Sequence, residues 1–221
     1  MSRSWSTYEG LHVGAWRLDS FLGEREEKAF FVGRNDARQQ PALVEIVDDD
    51  APVANSRRAS WRQAMNLSHK GLLSVYETGE AELDGVPVAY AAVDLPDDDL
   101  SEMLARRKLN TDEARSMFAT VAGALDYLHK RGLRHHAVSP PNLFVVGNEV
   151  KLSVDAIAPA NGAGTDSDLR QFGGTLVEAI TGNAVTANGD DPPQSGAVAQ
   201  LPPPLYEVAV GCLNGSPDPN W

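Results

Sequence analysis

The sequence predicts an α+β fold in two parts, a small β-rich part with one helix followed by a larger, mainly helical part. Three observations predict it. Short apolar runs bounded by turn residues fill residues 16–93, which is strand patterning. Beyond Asp97-Asp98-Asp99 the apolar spacing changes to three and four, which is helical, and it is clearest over about 111–131. The chain has 221 residues, 42 % of them hydrophobic and 23 % charged. That is enough for one large domain or two lobes, with an ordinary globular balance.

The elements follow in order. Residues 1–12 read as a polar, irregular tail. Trp16, Leu18, Phe21 and Leu22, then Ala29-Phe30-Phe31-Val32, suit a β-hairpin turning at Gly23-Glu24-Arg25-Glu26-Glu27-Lys28. Ala42-Leu43-Val44-Glu45-Ile46-Val47 is a third strand, ended by Asp48-Asp49-Asp50. Residues 56–67, with Ala59, Trp61, Ala64, Met65 and Leu67, suit a short helix. Leu72–Tyr76 and Val86–Val93 read as two more strands. A short helix is expected over Leu100–Arg107. Asn110 as N-cap with Glu113 three positions on is a capping-box signature. The face made by Ala114, Met117, Phe118, Val121, Leu125 and Leu128 carries that helix to Gly132. Further helices are expected over 168–181 and about 203–213. Residues 156–166 and 183–203, rich in Gly, Pro, Ala, Asn and Asp, read as loops.

Composition excludes several classes. The formal charge of −12 opposes nucleic-acid binding, which needs a basic face to displace counterions, and also opposes docking on an anionic membrane. A single cysteine, Cys212, forbids an intramolecular disulfide or a Cys-rich zinc site. Met1-Ser2-Arg3-Ser4-Trp5 lacks the apolar stretch of a signal peptide, and no run reaches the ~18 apolar residues of a membrane span. The expectation is a soluble, acidic, cytoplasmic protein that does not insert in a membrane within this chain.

The stretch Tyr127-Leu128-His129-Lys130-Arg131-Gly132-Leu133-Arg134-His135-His136-Ala137-Val138-Ser139-Pro140-Pro141-Asn142-Leu143-Phe144 resembles the catalytic loop of eukaryotic-type Ser/Thr protein kinases. That loop reads H-R-D-x-K-P-x-N, and His135, Pro140 and Asn142 stand in register with it. Val154-Asp155-Ala156 sits where the family carries D-F-G. Ser167-Asp168-Leu169 through Gly173 resembles its S-D-x-x-x-x-G helix start, and Leu201–Pro217 resembles its P-x-x-L-x-x-V-x-x-C-L helix. The resemblance covers about residues 13–221. It implies a two-lobed kinase-like fold with an N-lobe over 13–94 and a C-lobe over 95–221. The activation segment is shortened, since only residues 156–166 separate the D-F-G position from Ser167. The family's final helix would follow Trp221, so the expectation is the cytoplasmic piece of a longer protein, with a membrane anchor beyond this chain as a further reading.

The departures from the family pattern concern phosphoryl transfer, whose parts are few. The loop aspartate aligns with Ala137, which has no proton acceptor, and the loop lysine with Ser139. The phosphate-holding strand lysine aligns with Glu45, a reversal of charge. The glycine-rich turn keeps Gly23, while Arg25 and Lys28 replace its other glycines and Glu26 and Glu27 lie at its tip. The metal-binding aspartate aligns with Val154 or lies one residue on at Asp155. The helix over 56–68 has no acidic residue but has Arg57, Arg58 and Arg62. This suggests a charge-swapped pair of Glu45 with Arg62 or Arg58. The A-P-E glutamate has no counterpart within 156–166, and its arginine partner aligns with Asn220.

These losses imply a pseudokinase, not an enzyme, that binds no ATP-Mg, cofactor or metal. It would instead act as a regulatory or scaffolding module for a protein partner, and the charge favours a basic one. His135 and Asp168 are expected to be structural, Asp168 by anchoring the loop backbone. Asn142 is expected to bond within its loop, and His129, His135 and His136 are too scattered to form a zinc site. Cys212 reads as core, and the acidic runs at 48–50, 97–99 and 190–191 as solvated loops. Trp5 and Trp221 are weak interface hints. The alternative is an atypical kinase or nucleotide-binding switch whose site is rebuilt from Asp155, Asn142 and Lys28.

Overall fold

A computed structural model of the chain describes residues 4–161, 166–184 and 196–215. The readings placed on Asn220, Trp221, 190–191 and Pro217 lie outside these. The chain forms two compact units: residues up to Ser68 with Leu73–Pro96 and Val154–Ala156, and His69–Leu72 with Asp97–Ser153 and Ile157 onward.

The first unit is built on an antiparallel sheet. Its strands are β1 (His12–Val13), β2 (Trp16–Arg25), β3 (Lys28–Arg34), β4 (Ala42–Asp48), β5 (Val75–Leu83) and β6 (Val86–Asp94), in the spatial order β1-β2-β3-β4-β6-β5. The helix α1 (Ala54–Ala64) packs against β5 and β6. In the central strand β4, Ala42 through Val47 are all buried, because both faces of the sheet are covered there. Ala42, Val44 and Ile46 join Trp16, Leu18, Phe31 and Tyr90 in one apolar core. The alternation of a strand therefore puts Leu43, Glu45 and Val47 on the opposite face.

Three details differ from the sequence reading. Residues 5–8 form a 3-10 turn whose Trp5 and Tyr8 join the sheet core, so this segment is not an irregular tail. Trp5 is buried rather than an interface hint, since an indole brought back onto an apolar sheet face loses its exposed surface. The strand expected over Leu72–Tyr76 begins at Val75 and continues to Leu83, where the alternation of Glu and Ala conceals it. The first hairpin turns on two residues, Glu26 and Glu27, at φ of 51° and 61°. Two-residue hairpins need this left-handed backbone, which Asn and Gly supply at least cost. Two glutamates gave no sign of it.

The second unit contains α2 (Leu100–Arg106), α3 (Thr111–His129), α4 (Asp166–Thr181) and α5 (Pro203–Leu213), with short strands β7 (Asp98–Asp99), β8 (Leu133–Arg134), β9 (Leu143–Val146), β10 (Glu149–Leu152) and β11 (Ala158–Pro159). The capping box of α3 is formed: Asn110 accepts from the Asp112 and Glu113 amides, and Glu113 accepts from the Asn110 amide. Phe118 of α3 stacks on Phe172 of α4, with ring centroids 5.3 Å apart. At Gly173 a methyl group would meet Leu213 and Cys212 at 2.9–3.0 Å, so glycine lets α4 and α5 approach closely. The acidic runs do more than carry charge. Asp99 caps α2, Asp98 pairs with Arg106, Asp97 accepts from the Gly147 amide, and in the first unit Asp49 pairs with Arg58. No helix among the described residues is long and apolar enough to cross a membrane.

Candidate functional site

In the first unit the chemistry centres on Lys28. The β3–β4 register sets Lys28 opposite Val47 and Phe30 opposite Glu45. Lys28 and Glu45 are thus diagonal neighbours on one face of adjacent strands, within reach of a long side chain. The Lys28 ammonium lies 3.2 Å from Glu45 Oε2 and also contacts Asp155 Oδ2. Arg57 of α1 reaches the same carboxylate at 2.9 Å, donates to the Asp155 carbonyl at 2.9 Å and touches Glu26 at 3.3 Å. Lys28, Glu45 and Asp155 are 5 %, 2 % and 3 % exposed, so water screens these charges little. Two cations and two anions share this buried corner.

Burial opposes the Lys28 charge, but Glu45 and Asp155 together outweigh it and hold its pKa above the ordinary value. Burial pushes the Glu45 carboxyl up, and Lys28 pulls it only part of the way back. Both move upward, which favours the charged form of the ammonium and the neutral form of the carboxyl. Two carboxylates compete for one cation, with Asp155 the nearer, so Glu45 keeps the weaker share.

Glu45 therefore pairs with a lysine, not with an arginine as expected. Arg58 is drawn to Asp49 and Arg62 to Glu80 at the surface. The reason is register: β3 runs beside Glu45, and Lys28 reaches it without leaving the sheet. An ammonium therefore stands beside position 45 of β4, carried by the neighbouring strand.

In the second unit the loop after β8 is held from α4. Asp168 is fully buried and accepts from the His135 and His136 amides at 2.8 and 2.9 Å, and its Oδ2 lies 2.9 Å from His129 Nε2. Burial opposes its charge, yet these three hydrogen bonds hold its carboxyl below the usual range. Gln171 accepts from the Val138 amide at 2.9 Å and donates to the His136 carbonyl, while Thr175 donates to the Val138 carbonyl at 3.1 Å. Residues 168, 171 and 175 line one helix face. The sequence reading missed Gln171 and Thr175. Their signal was two polar residues on the inward face of an otherwise apolar helix. His135 is fully buried, with Nε2 2.9 Å from the Ser153 carbonyl. His136 takes a φ of 64°, a backbone held in place by its amide bond to Asp168 and its carbonyl bond from Gln171. Asn142 donates from Nδ2 to the Ala137 carbonyl and to Ser139 Oγ at 3.0 and 3.2 Å.

No protein-family model matches the sequence. A probable serine/threonine-protein kinase, SCO3848 of Streptomyces coelicolor, is 31 % identical over 144 residues, which cover 64 % of this chain and 20 % of that protein. The serine/threonine-protein kinase PknB of Mycobacterium tuberculosis is 28 % identical over 157 residues, covering 70 % of this chain and 25 % of PknB. The chain is thus similar to Ser/Thr protein kinases, and that family is the one these likenesses support. Among solved structures, the PknI kinase domain of M. tuberculosis aligns with a TM-score of 0.74 at 23 % identity, over 95 % of this chain and 91 % of that one, and so shares the two-lobed fold. The chain spans a fifth to a quarter of the length of these curated relatives. They are named kinases, and kinases are enzymes. The expectation that this chain is not an enzyme is corrected on that ground. It rested on altered residues and paired losses along the chain, none of which measures activity.

Kinases hold magnesium with the D-F-G aspartate and the loop asparagine. The residues present here do not fit that ion. Val154 offers no ligand, and the Asp155 carboxylate is bound by two cations that would repel a third. Asn142, whose amide nitrogen bonds within its own loop, would offer one neutral oxygen and no charge.

Proposed function

We propose that this domain binds a nucleotide at a rebuilt site, with Lys28 as the cation that meets the phosphates. One observation carries the reading: a buried lysine from β3 stands against Glu45 and Asp155, restoring the ammonium that position 45 lacks. Phosphoryl transfer depends mostly on positioning and charge neutralisation, and Lys28 supplies the charge. Ala137 supplies no proton acceptor, so the ~10²–10⁴-fold due to a general base is absent from any transfer at this loop. The nucleotide state would be read out through a protein contact, and the charge of −12 favours a basic partner in the cytoplasm.

The test is a melting curve with millimolar ATP and Mg²⁺. A ligand that binds only the folded state adds about 2.7 kcal/mol at a hundred times its Kd. A clear upward shift is expected, and its absence would sink the reading. Incubation with γ-labelled ATP and a basic protein substrate reads transfer directly.

A further inference from the structure

We propose that this domain binds nucleotide phosphates without a divalent cation, with the Arg57 guanidinium supplying the charge that a metal supplies elsewhere in the family. The inference rests on the nucleotide-binding reading above. An ordinary kinase corner holds one lysine against a glutamate and an aspartate. That leaves one excess negative charge, which the metal offsets together with that of the phosphates it bridges. Here Arg57 projects from α1 into the corner, its side chain 14 % exposed, with NH1 on the Asp155 carboxylate and on the Asp155 carbonyl. Lys28 and Arg57 balance Glu45 and Asp155 with no metal. A planar guanidinium suits both partners it has to hold, because its fork of donors matches carboxylate and phosphate oxygens alike. Its second nitrogen reaches Glu26 at the hairpin tip, 3.3 Å away, so the helix arginine also restrains the turn that lies over phosphate in this family.

The experiment is calorimetric titration of the whole chain with ATP, once with excess EDTA and once with Mg²⁺, with Mg²⁺ alone as the blank. The expected result is an affinity that agrees within about twofold between the two conditions, and no heat from Mg²⁺ alone. The variant Arg57→Gln, checked for native circular dichroism, is expected to lose metal-free binding by at least tenfold. It should regain part of it with Mg²⁺, because Asp155 is then released from one cation. Wild-type binding that needs Mg²⁺ would overturn this inference and leave the nucleotide reading intact. No binding in either condition would overturn both. The wild-type comparison decides the matter even if the variant does not fold.

Discussion

Replacing Lys28 with methionine keeps the length of the side chain and removes its charge, leaving Glu45 and part of Asp155 uncompensated in the sheet. At 3.2 Å, an effective dielectric of about 20 gives the Lys28–Glu45 attraction about 5 kcal/mol. The loss cannot reach that figure, because Glu45 has an escape in taking up a proton. At pH 7 that costs about 3.4 kcal/mol, being two and a half pH units above an ordinary 4.5 at about 1.4 kcal/mol per unit. The expected destabilisation is therefore about 3 kcal/mol at pH 7, at the low end for a broken buried pair. It corresponds to a fall of roughly 6–12 °C in melting temperature for a chain of this size. The sign with pH follows. In the variant the folded carboxyl binds a proton more tightly than the unfolded one, so stability falls as pH rises above 4.5, and the penalty fades by about 1.4 kcal/mol per unit on going down from pH 7. Urea denaturation followed by tryptophan fluorescence reads mainly this unit, since three of the four tryptophans, Trp5, Trp16 and Trp61, lie in it and are buried. The double variant Lys28→Met/Glu45→Gln should recover at least about 2 kcal/mol, because a neutral pair needs no counter-charge. A Lys28→Met protein within 1 kcal/mol of wild type at pH 7, or a penalty that does not change between pH 5 and 7, would refute the reasoning.

Other outcomes follow from the same geometry. Asp168→Asn should cost about 2–3 kcal/mol, since charge-assisted bonds to two amides and a histidine are weakened. Because the Asp168 carboxyl is held below its ordinary 3.8, its contribution is fully present above that pH and is lost as pH falls through the lower folded value. Chemical denaturation of wild type and variant at pH 7 and pH 3 should show the gap narrowing. Glu27→Gly at the left-handed turn position should stabilise the hairpin by about 0.5–1 kcal/mol, read by melting temperature. Cys212 is 2 % exposed and burial pushes its thiol up to about 11, so a thiol reagent at pH 8 should label it only on unfolding.

How much could be read from the sequence depended on how local each signal was. The α3 helix was legible in full, because its capping box and apolar face all lie within 111–129. The fold was legible from the order of weak motifs, each placing one element. Asp168 could be singled out because the S-D-x-x-x-x-G stretch resembles a helix start, although its partners lie more than 30 residues upstream. The Lys28–Glu45–Asp155 corner was not, although all three residues had been singled out. Their meeting depends on the β3–β4 register and on a chain segment 110 residues further on, which no local pattern encodes. Arg57 was hidden among three arginines of similar spacing, and only the direction of each side chain separates the one aimed at Asp155 from those aimed at Asp49 and Glu80.

The most direct test of a phosphate-facing Lys28 is the affinity for ATP of the wild-type chain beside that of Lys28→Met/Glu45→Gln, a pair chosen to stay folded, by isothermal titration calorimetry. The account predicts saturable one-to-one binding by wild type and a weakening of at least about tenfold, about 1.4 kcal/mol, in the double variant. Equal affinities in the two proteins, or no binding by the wild type, would contradict it.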